Sequence, residues 1–237
     1  MEKTSILDIK LDNLTTDQVI EKIREFLNSD KQHYIVLPYS EFIVRAQKDE
    51  EFKRILNESD LSICESKGLL IVARFLGQNL QENIYGVDLI RRISDSVQCS
   101  NNNIFLLGGT DNVLEETKRN LKGNIVGTEN GYQDLGVVIN TINKVKPNIL
   151  FVGLGSPMQE KWIYYNLDKM PSVKVAIGVG GAFDFISGKI KRAPKFLQKV
   201  GLEWLWRFIL QPKRINRIYN ATIKFSWLIL KCKVLKK

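Results

Sequence analysis

Short apolar runs that end in glycine, each followed by a helical pattern, constrain this chain more than any other feature. Residues 104–107 run into Gly108-Gly109, residues 149–152 into Gly153, and residues 173–179 into Gly180-Gly181. The first two are apolar at every position and the third is interrupted by Lys174 and Gly178; all three read as strands. Residues 112–121, 135–145 and 157–167 carry helical periodicity, with Pro157 suited to a first turn. The same rhythm holds upstream. Residues 5–11 alternate like a half-buried strand, and Thr15 or Thr16 caps a helix bearing Val19, Ile20, Ile23, Phe26 and Leu27. Strands are predicted at 34–37, 61–64 and 125–127, and helices at 41–57 and 66–75. Strands and helices alternating at this pace predict a mostly parallel sheet with helices on both faces. After Pro194 no strand pattern remains, and the chain reads as helix to the end, interrupted at Pro212. A boundary at 195–201 separates a body, residues 1–195, from a helical appendage, residues 196–237.

The 237 residues suit one α/β domain with a small addition. Their charge is uneven. Residues 188–237 hold fourteen Lys/Arg and one acid, Glu203, whereas residues 1–187 hold 21 Lys/Arg against 25 Asp/Glu. A mildly acidic body with a strongly basic tail suggests an anionic partner for the tail: nucleic acid, phosphate groups or an anionic lipid surface. A solvated basic end is the plainer alternative. The first ten residues lack the apolar core of a signal peptide, so a cytoplasmic location is expected. The apolar run at 225–230 is far shorter than the roughly 20 residues of a spanning helix. Cys64, Cys99 and Cys232 have no spacing that suggests a disulfide framework or a zinc site.

In parallel sheets ligands bind beyond the carboxyl ends of the strands. The segments expected there are Pro38-Tyr39-Ser40-Glu41, Glu65-Ser66-Lys67-Gly68, Gly108-Gly109-Thr110, Gly153-Leu154-Gly155-Ser156 and Gly178-Val179-Gly180-Gly181. Glycine lets a backbone approach a ligand, and helix N-termini favour phosphate; singly, each is also an ordinary turn. His33 is the sole histidine, which removes multi-histidine metal sites and triads; a surface histidine is its plainer reading. No Asp-x-Asp pair follows a strand, so no metal is expected, and a general base would be a carboxylate. Glu65, directly after an apolar strand, is the candidate base; a helix first-turn acid is its alternative. Cys64 reads as a buried, inert thiol.

Several segments, in order, resemble the WecG/TagA/CpsF family of bacterial glycosyltransferases. They are Tyr85-Gly86-Val87-Asp88-Leu89, Phe105-Leu106-Leu107-Gly108-Gly109, Asn130-Gly131-Tyr132 and Val152-Gly153-Leu154-Gly155-Ser156-Pro157-Met158-Gln159-Glu160. Further on come Gly178-Val179-Gly180-Gly181-Ala182-Phe183-Asp184-Phe185, Arg192-Ala193-Pro194, Gly201-Leu202-Glu203-Trp204-Leu205-Trp206-Arg207 and Gln211-Pro212-Lys213-Arg214. The likeness spans residues 5–217. It implies a Rossmann-like body that moves a sugar, typically N-acetylmannosamine, from a UDP-sugar donor to a polyprenyl-diphosphate-linked N-acetylglucosamine. It further implies inversion, no metal or other cofactor, and service in teichoic acid, common antigen or capsule synthesis. The C-terminal appendage would bring the enzyme to the inner face of the cell membrane. No nucleic acid partner is implied, and a homo-oligomer is left open.

On this reading Glu65 accepts the acceptor proton. Gly108, Gly109, Gly153 and Gly155 approach the diphosphate, with Arg192, Arg207 and Arg214 as its cationic ligands. Tyr132, beside Gly131, stacks on uracil; Gln159, Glu160 and Asp184 read sugar hydroxyls; Tyr39 and Glu41 lie on the acceptor side. Core packing, helix capping and surface solvation are the alternatives for these residues. The chain departs from the family where acceptor chemistry is expected. The usual Thr-Pro-Asn-Pro-Glu is Leu37-Pro38-Tyr39-Ser40-Glu41, and the usual Asp-Gly is Glu65-Ser66. Three readings stay open: an active enzyme with a shifted substrate, a weakened enzyme, and an inactive nucleotide-sugar-binding scaffold at the membrane. An oxidoreductase would need a complete glycine fingerprint after the first strand, which is absent. In the tail, Arg217, Lys224 and Lys231 recur every seven residues, while Ile215, Tyr219, Ile223, Trp227 and Leu230 form an apolar stripe. Such a helix suits the interface of an anionic membrane.

Overall fold

The structure, a computed structural model, describes residues 3–132, 134–212 and 215–235. The chain opens on an antiparallel hairpin of β1 (Lys3–Ile6) and β2 (Ile9–Asp12). One strand was expected here. The turn is made by Leu7 and Asp8, whose φ values of 47° and 63° give the primed geometry that matches strand twist. α1 (Thr16–Leu27) follows, with Thr15 and Gln18 forming a capping box. β3 (His33–Val36) leads to α2 (Ser40–Ala46) and α3 (Glu50–Asn57). These two replace the single helix expected over 41–57. Asp49 takes extended backbone and caps α3 by accepting from Phe52 N at 2.9 Å, so the chain breaks there.

β4 (Leu61–Ser62) and α4 (Lys67–Phe75) come next, then α5 (Gly86–Ser96), which the sequence reading did not anticipate. Regular alternation resumes with β5 (Asn103–Gly108), α6 (Asp111–Asn120), β6 (Asn124–Glu129), α7 (Leu135–Val145), β7 (Ile149–Gly153), α8 (Met158–Asn166), β8 (Val175–Gly178) and the short α9 (Ala182–Ile186). The C-terminal part is helical: α10 (Lys195–Val200), α11 (Glu203–Leu210), α12 (Ile215–Tyr219), a π-helical turn (Asn220–Lys224) and α13 (Phe225–Leu235).

Six strands form one sheet in the order β4-β3-β8-β7-β5-β6, and every pairing in it is parallel. Residues 104–107 and 149–152 are wholly buried, as strands covered on both faces require. Alternate residues serve opposite faces. Ile104, Leu106, Ile149 and Phe151 pack with α1, α5, α6 and α9 residues; Phe105, Leu107, Leu150 and Val152 pack with α7 and α8 residues. A third apolar cluster joins the hairpin, α2, α3 and α4 to Phe225 and Ile229 of α13. The last helix therefore shares the core of the body.

His33 is buried, not on the surface. It starts β3 at the amino end of the strand, away from the glycine turns, stacks on Phe26 and bonds Asp60 through Nδ1 at 2.9 Å and Ser29 through Nε2 at 2.8 Å. Cys64 is buried, and burial pushes its thiol up to about 12.

Candidate active site

Loops from the carboxyl ends of all six strands meet around a cleft of about 700 Å³, lined on its other side by residues of α10, α11 and α12. The glycines in these loops act for different reasons. A Cβ on Gly108, at φ 118°, would lie 2.6 Å from the Gly153 carbonyl, so β5 and β7 end in backbone contact. Gly155 and Gly180, at φ 81° and 54°, have nothing described within 4 Å of the Cβ position. Their left-handed backbone favours glycine and leaves open space for a ligand. Gly131 donates to Gly109 O at 3.3 Å, holding the β6 loop on the β5 loop. Tyr132 stands exposed at the lip.

Glu65 sits at the cleft floor. Its backbone N–H donates to Pro38 O at 3.0 Å, which ties the exits of β4 and β3. Its Oε1 accepts from Gly86 N at 3.0 Å, at the start of α5, where a helix favours an acid. A Cβ on Gly86 would meet that oxygen at 2.9 Å and Leu37 Cδ1 at 3.1 Å, so only glycine lets the carboxylate and Leu37 crowd the helix start. Burial pushes the Glu65 carboxyl up to about 7 against the pull of the Gly86 N–H and Arg207; Glu203 and Glu160 push the same way as burial. Leu37 thus gives the acid an apolar neighbour. Ser66 caps α4 by accepting from Leu69 N at 3.3 Å.

Arg207 enters the cleft from α11. Its guanidinium lies 4.9 Å from the Phe185 ring centroid and against Gly181. Burial pushes its pKa down, while Tyr39, Glu65 and Asp184 pull it up. Nε and Nη2 are buried with no hydrogen-bond partner among the described residues. A cation desolvated with free donors is an incomplete arrangement, and an anion in the cleft completes it. Asp184 also lines the cleft, paired with Lys189 at 3.3 Å. Arg192 lines it too, but its guanidinium is engaged. Both Nη atoms bind Asp88, with Nη2 to Oδ2 at 2.6 Å, and Nε lies 3.4 Å from Glu203 Oε1. Arg192 therefore braces α5 against α11. Arg214 lies outside the described residues.

Tyr39 lines the cleft and donates its OH to Glu41 Oε2 at 2.6 Å. Glu41 is buried behind it, accepting from Arg45 at 3.1 Å and lying 3.6 Å from Arg217 Nε of α12. Desolvation, then Glu41, pushes the Tyr39 phenol up, so it stays a donor. Arg217 thus points inward to α2 rather than outward with Lys231, as the seven-residue spacing had it.

Gln159 and Glu160, adjacent in sequence, are placed differently. Gln159 borders the cleft, yet its Oε1 accepts from Gly155 N at 3.2 Å and Gly180 N at 2.9 Å, joining the β7 and β8 loops. Its Nε2 donates to Glu160 Oε1 at 2.6 Å, which fixes the orientation of the amide. Glu160 is buried behind Gln159, and burial pushes its carboxyl up to about 7. A raised carboxyl is fully stabilising in its protonated state below the unfolded value, and that contribution is lost as pH rises through about 7. Relative to the parent, Glu160→Gln should therefore gain stability between about pH 5 and pH 8, on the order of 3 kcal/mol for a shift from 4.5 to about 7. Thermal melts at both pH values check this; an identical parent-to-variant difference at each would contradict it.

Among the described residues no group of three or more His, Cys, Asp or Glu is placed to hold a metal ion. Three features of the site were not read from the sequence: the Gly86 N–H that holds Glu65, the inward turn of Arg217, and Glu203, whose Oε2 is buried without a partner.

A parallel sheet whose strand-exit loops hold an apolar-flanked carboxylate, faced across one cleft by an arginine of α11 with two unpartnered donors, is the architecture of an α/β enzyme with its ligand site beyond the carboxyl ends of its strands. The sequence model of the glycosyl transferase WecG/TagA/CpsF family matches residues 4–237, and this chain belongs to that family. It is 30% identical over 239 residues to the N-acetylglucosaminyldiphosphoundecaprenol N-acetyl-beta-D-mannosaminyltransferase of Staphylococcus aureus strain NCTC 8325 / PS 47, covering 98% of this chain and 93% of that protein. Proteins of the same name from strains COL and MRSA252 match to the same extent.

Proposed function

We propose that this glycosyltransferase moves N-acetylmannosamine, or a closely related hexose, from a UDP-sugar to a polyprenyl-diphosphate-linked N-acetylglucosamine. The Staphylococcus aureus relatives carry the corresponding acceptor and sugar in their names. The observation that carries the reading is one cleft holding both a base and a vacant cation: Glu65 set by Gly86, and Arg207 with free donors.

The reaction is a single displacement with inversion. With Oε1 engaged by Gly86, the other Glu65 oxygen takes the proton of the acceptor hydroxyl. The hydroxyl oxygen forms a bond to the anomeric carbon as the bond to UDP breaks on the opposite face. Charge developing on the departing diphosphate is met by Arg207 and by backbone N–H groups of the loops after β5 and β7, the Gly155 N–H excepted because Gln159 Oε1 already accepts it. Tyr132 stacks on uracil, and Asp184 binds donor hydroxyls. Gln159 acts by holding the β7 and β8 loops in register. No metal enters this scheme.

Residues 196–237 are the membrane-associating appendage of the catalytic body, residues 1–195. No helix among the described residues is long and apolar enough to cross a membrane. The exposed faces of Ile215, Tyr219, Ile223, Trp227 and Leu230 instead support contact with the surface of the inner leaflet.

The deciding experiment is sugar transfer from UDP-N-acetylmannosamine to a diphosphate-linked N-acetylglucosamine, with and without EDTA. Turnover that survives chelation is expected. Loss on chelation with rescue by Mg²⁺ would overturn the metal-independent account, and UDP-sugar binding without turnover would make the chain a scaffold.

A further inference from the structure

Glu203 stands at the start of α11 and lines the cleft on the side that faces the strand-exit loops. Its two carboxylate oxygens differ. Oε1 lies 3.4 Å from Arg192 Nε, whereas Oε2 is buried with no partner among the described residues. Nor does Oε2 serve the helix, which begins without a side-chain cap. Burial pushes this carboxyl up, and Arg192 holds it down. Buried polar atoms in folded proteins are hydrogen-bonded in the great majority, and an ionised carboxylate only accepts. Oε2 therefore calls for an O–H or N–H donor that a ligand supplies.

The surroundings of Glu203 say which donor this is. Arg207 is four residues further along α11, so the two share one face, with about 5–6 Å between their Cβ atoms. Both act on the base: Arg207 pulls the Glu65 carboxyl down, and Glu203 pushes it up. In the reaction above, Glu65 takes the proton of the attacking hydroxyl and Arg207 meets the departing diphosphate. The anomeric carbon lies between those two events, and Glu203 is a neighbour of both residues. The ring that carries the anomeric carbon is therefore the ring within its reach. Arg192 sets the aim of the carboxylate. Its Nη atoms are held by Asp88 and its guanidinium lies 5.5 Å from the Tyr85 ring centroid, so Oε1 is kept on Arg192 and Oε2 is left for the ligand.

We infer that Glu203 Oε2 accepts a hydrogen bond from a hydroxyl of the sugar being transferred, which makes Glu203 a specificity-determining residue for the donor. The inference rests on the nucleotide-sugar reading above and adds which residue of α11 selects the sugar. Asp184 lines the same cleft from α9, so the ring is held by one acid on each side. Arg192 and Asp88 are positioning residues on this account, acting through Glu203.

The test is calorimetric titration of the full chain with UDP, with UDP-N-acetylmannosamine, and with the forms of that donor that each lack one sugar hydroxyl. One deoxy form should bind the parent about 10–100-fold more weakly than the intact donor, because a hydrogen bond to a charged group is lost and a buried oxygen is left bare. Glu203→Ala should bind the intact donor and that deoxy form alike, and UDP as the parent does. Glu203→Gln, closest in shape, should keep only part of the discrimination. Asp88→Asn disturbs Arg192 from its other side without touching Oε2, and it should rank the donors as the parent does. A Glu203 that merely braced Arg192 would give Asp88→Asn and Glu203→Ala the same ranking, which overturns the inference. Equal binding of all the donor forms by the parent also overturns it, as does a parental ranking retained by both Glu203 variants. A parent that binds neither UDP nor UDP-N-acetylmannosamine would overturn the nucleotide-sugar reading and this inference with it; binding of both with no discrimination among hydroxyls would overturn the inference alone.

Discussion

Replacing Glu65 by glutamine is expected to lower turnover by roughly 10²–10⁴-fold while leaving UDP affinity little changed. The amide keeps the shape and can still accept from Gly86 N, but it takes no proton. Because burial pushes the carboxyl up to about 7, the parent should gain activity as pH rises through that value, when the base loses its proton. The variant should lose this limb of the profile. Glu65→Asp is a sharper comparison. It draws the carboxylate back by one methylene from the Gly86 N–H, which now sits 3.0 Å from Oε1. Activity at or above the parent level in Glu65→Asp would show that the family's shorter acid still finds its place here. A Glu65→Gln enzyme as fast as the parent, with the same pH profile, would falsify the assignment of the base.

The place of Glu65 in the cleft was legible because an acid directly after an apolar strand is a local pattern. What holds its carboxylate was not legible. Gly86 lies 21 residues on, at the start of a helix that has no side-chain cap at Tyr85 and so no start signal. The same limit separates Arg192 from Arg207. Both are arginines in motif-bearing segments, and the sequence treats them alike. The fold places Asp88 and Glu203 beside the first, which is engaged, and leaves the second buried with free donors. Among the elements, β5 and β7 were readable because burial on both faces demands unbroken apolar runs. The break between α2 and α3 was hidden by apolar positions that continue on either side of Asp49, and the Leu7-Asp8 turn lacks the Asn-Gly or Asp-Gly signature of a tight hairpin. In the tail the sequence marks one apolar stripe, but Phe225 and Ile229 form a second face that packs on α2 and α4. A helix apolar on both sides gives no single stripe to read.

That second face decides how membrane association is tested. A chain ended near residue 199 would lose Arg207 and Arg217 and strip Phe225 and Ile229 from a core cluster, so its failure to bind vesicles would say little. Substitution on the outer stripe is cleaner. Ile223 and Trp227 are 62% and 58% exposed, and Ile223→Glu with Trp227→Glu leaves the inner face intact. Burying each such side chain in a membrane interface contributes about 1.5–3 kcal/mol. Each added acid near an anionic surface works against the roughly 1 kcal/mol that a nearby lysine or arginine contributes. Together these changes should weaken co-sedimentation with anionic liposomes by at least about 100-fold, since about 1.4 kcal/mol is tenfold. Binding by the parent should fall as salt rises, because the basic tail is screened. Transfer to a short-chain soluble acceptor should be far less affected than transfer to a lipid acceptor held in vesicles. A doubly substituted protein that sediments with anionic liposomes as the parent does would place the membrane contact elsewhere on the molecule and leave the stripe without a lipid partner.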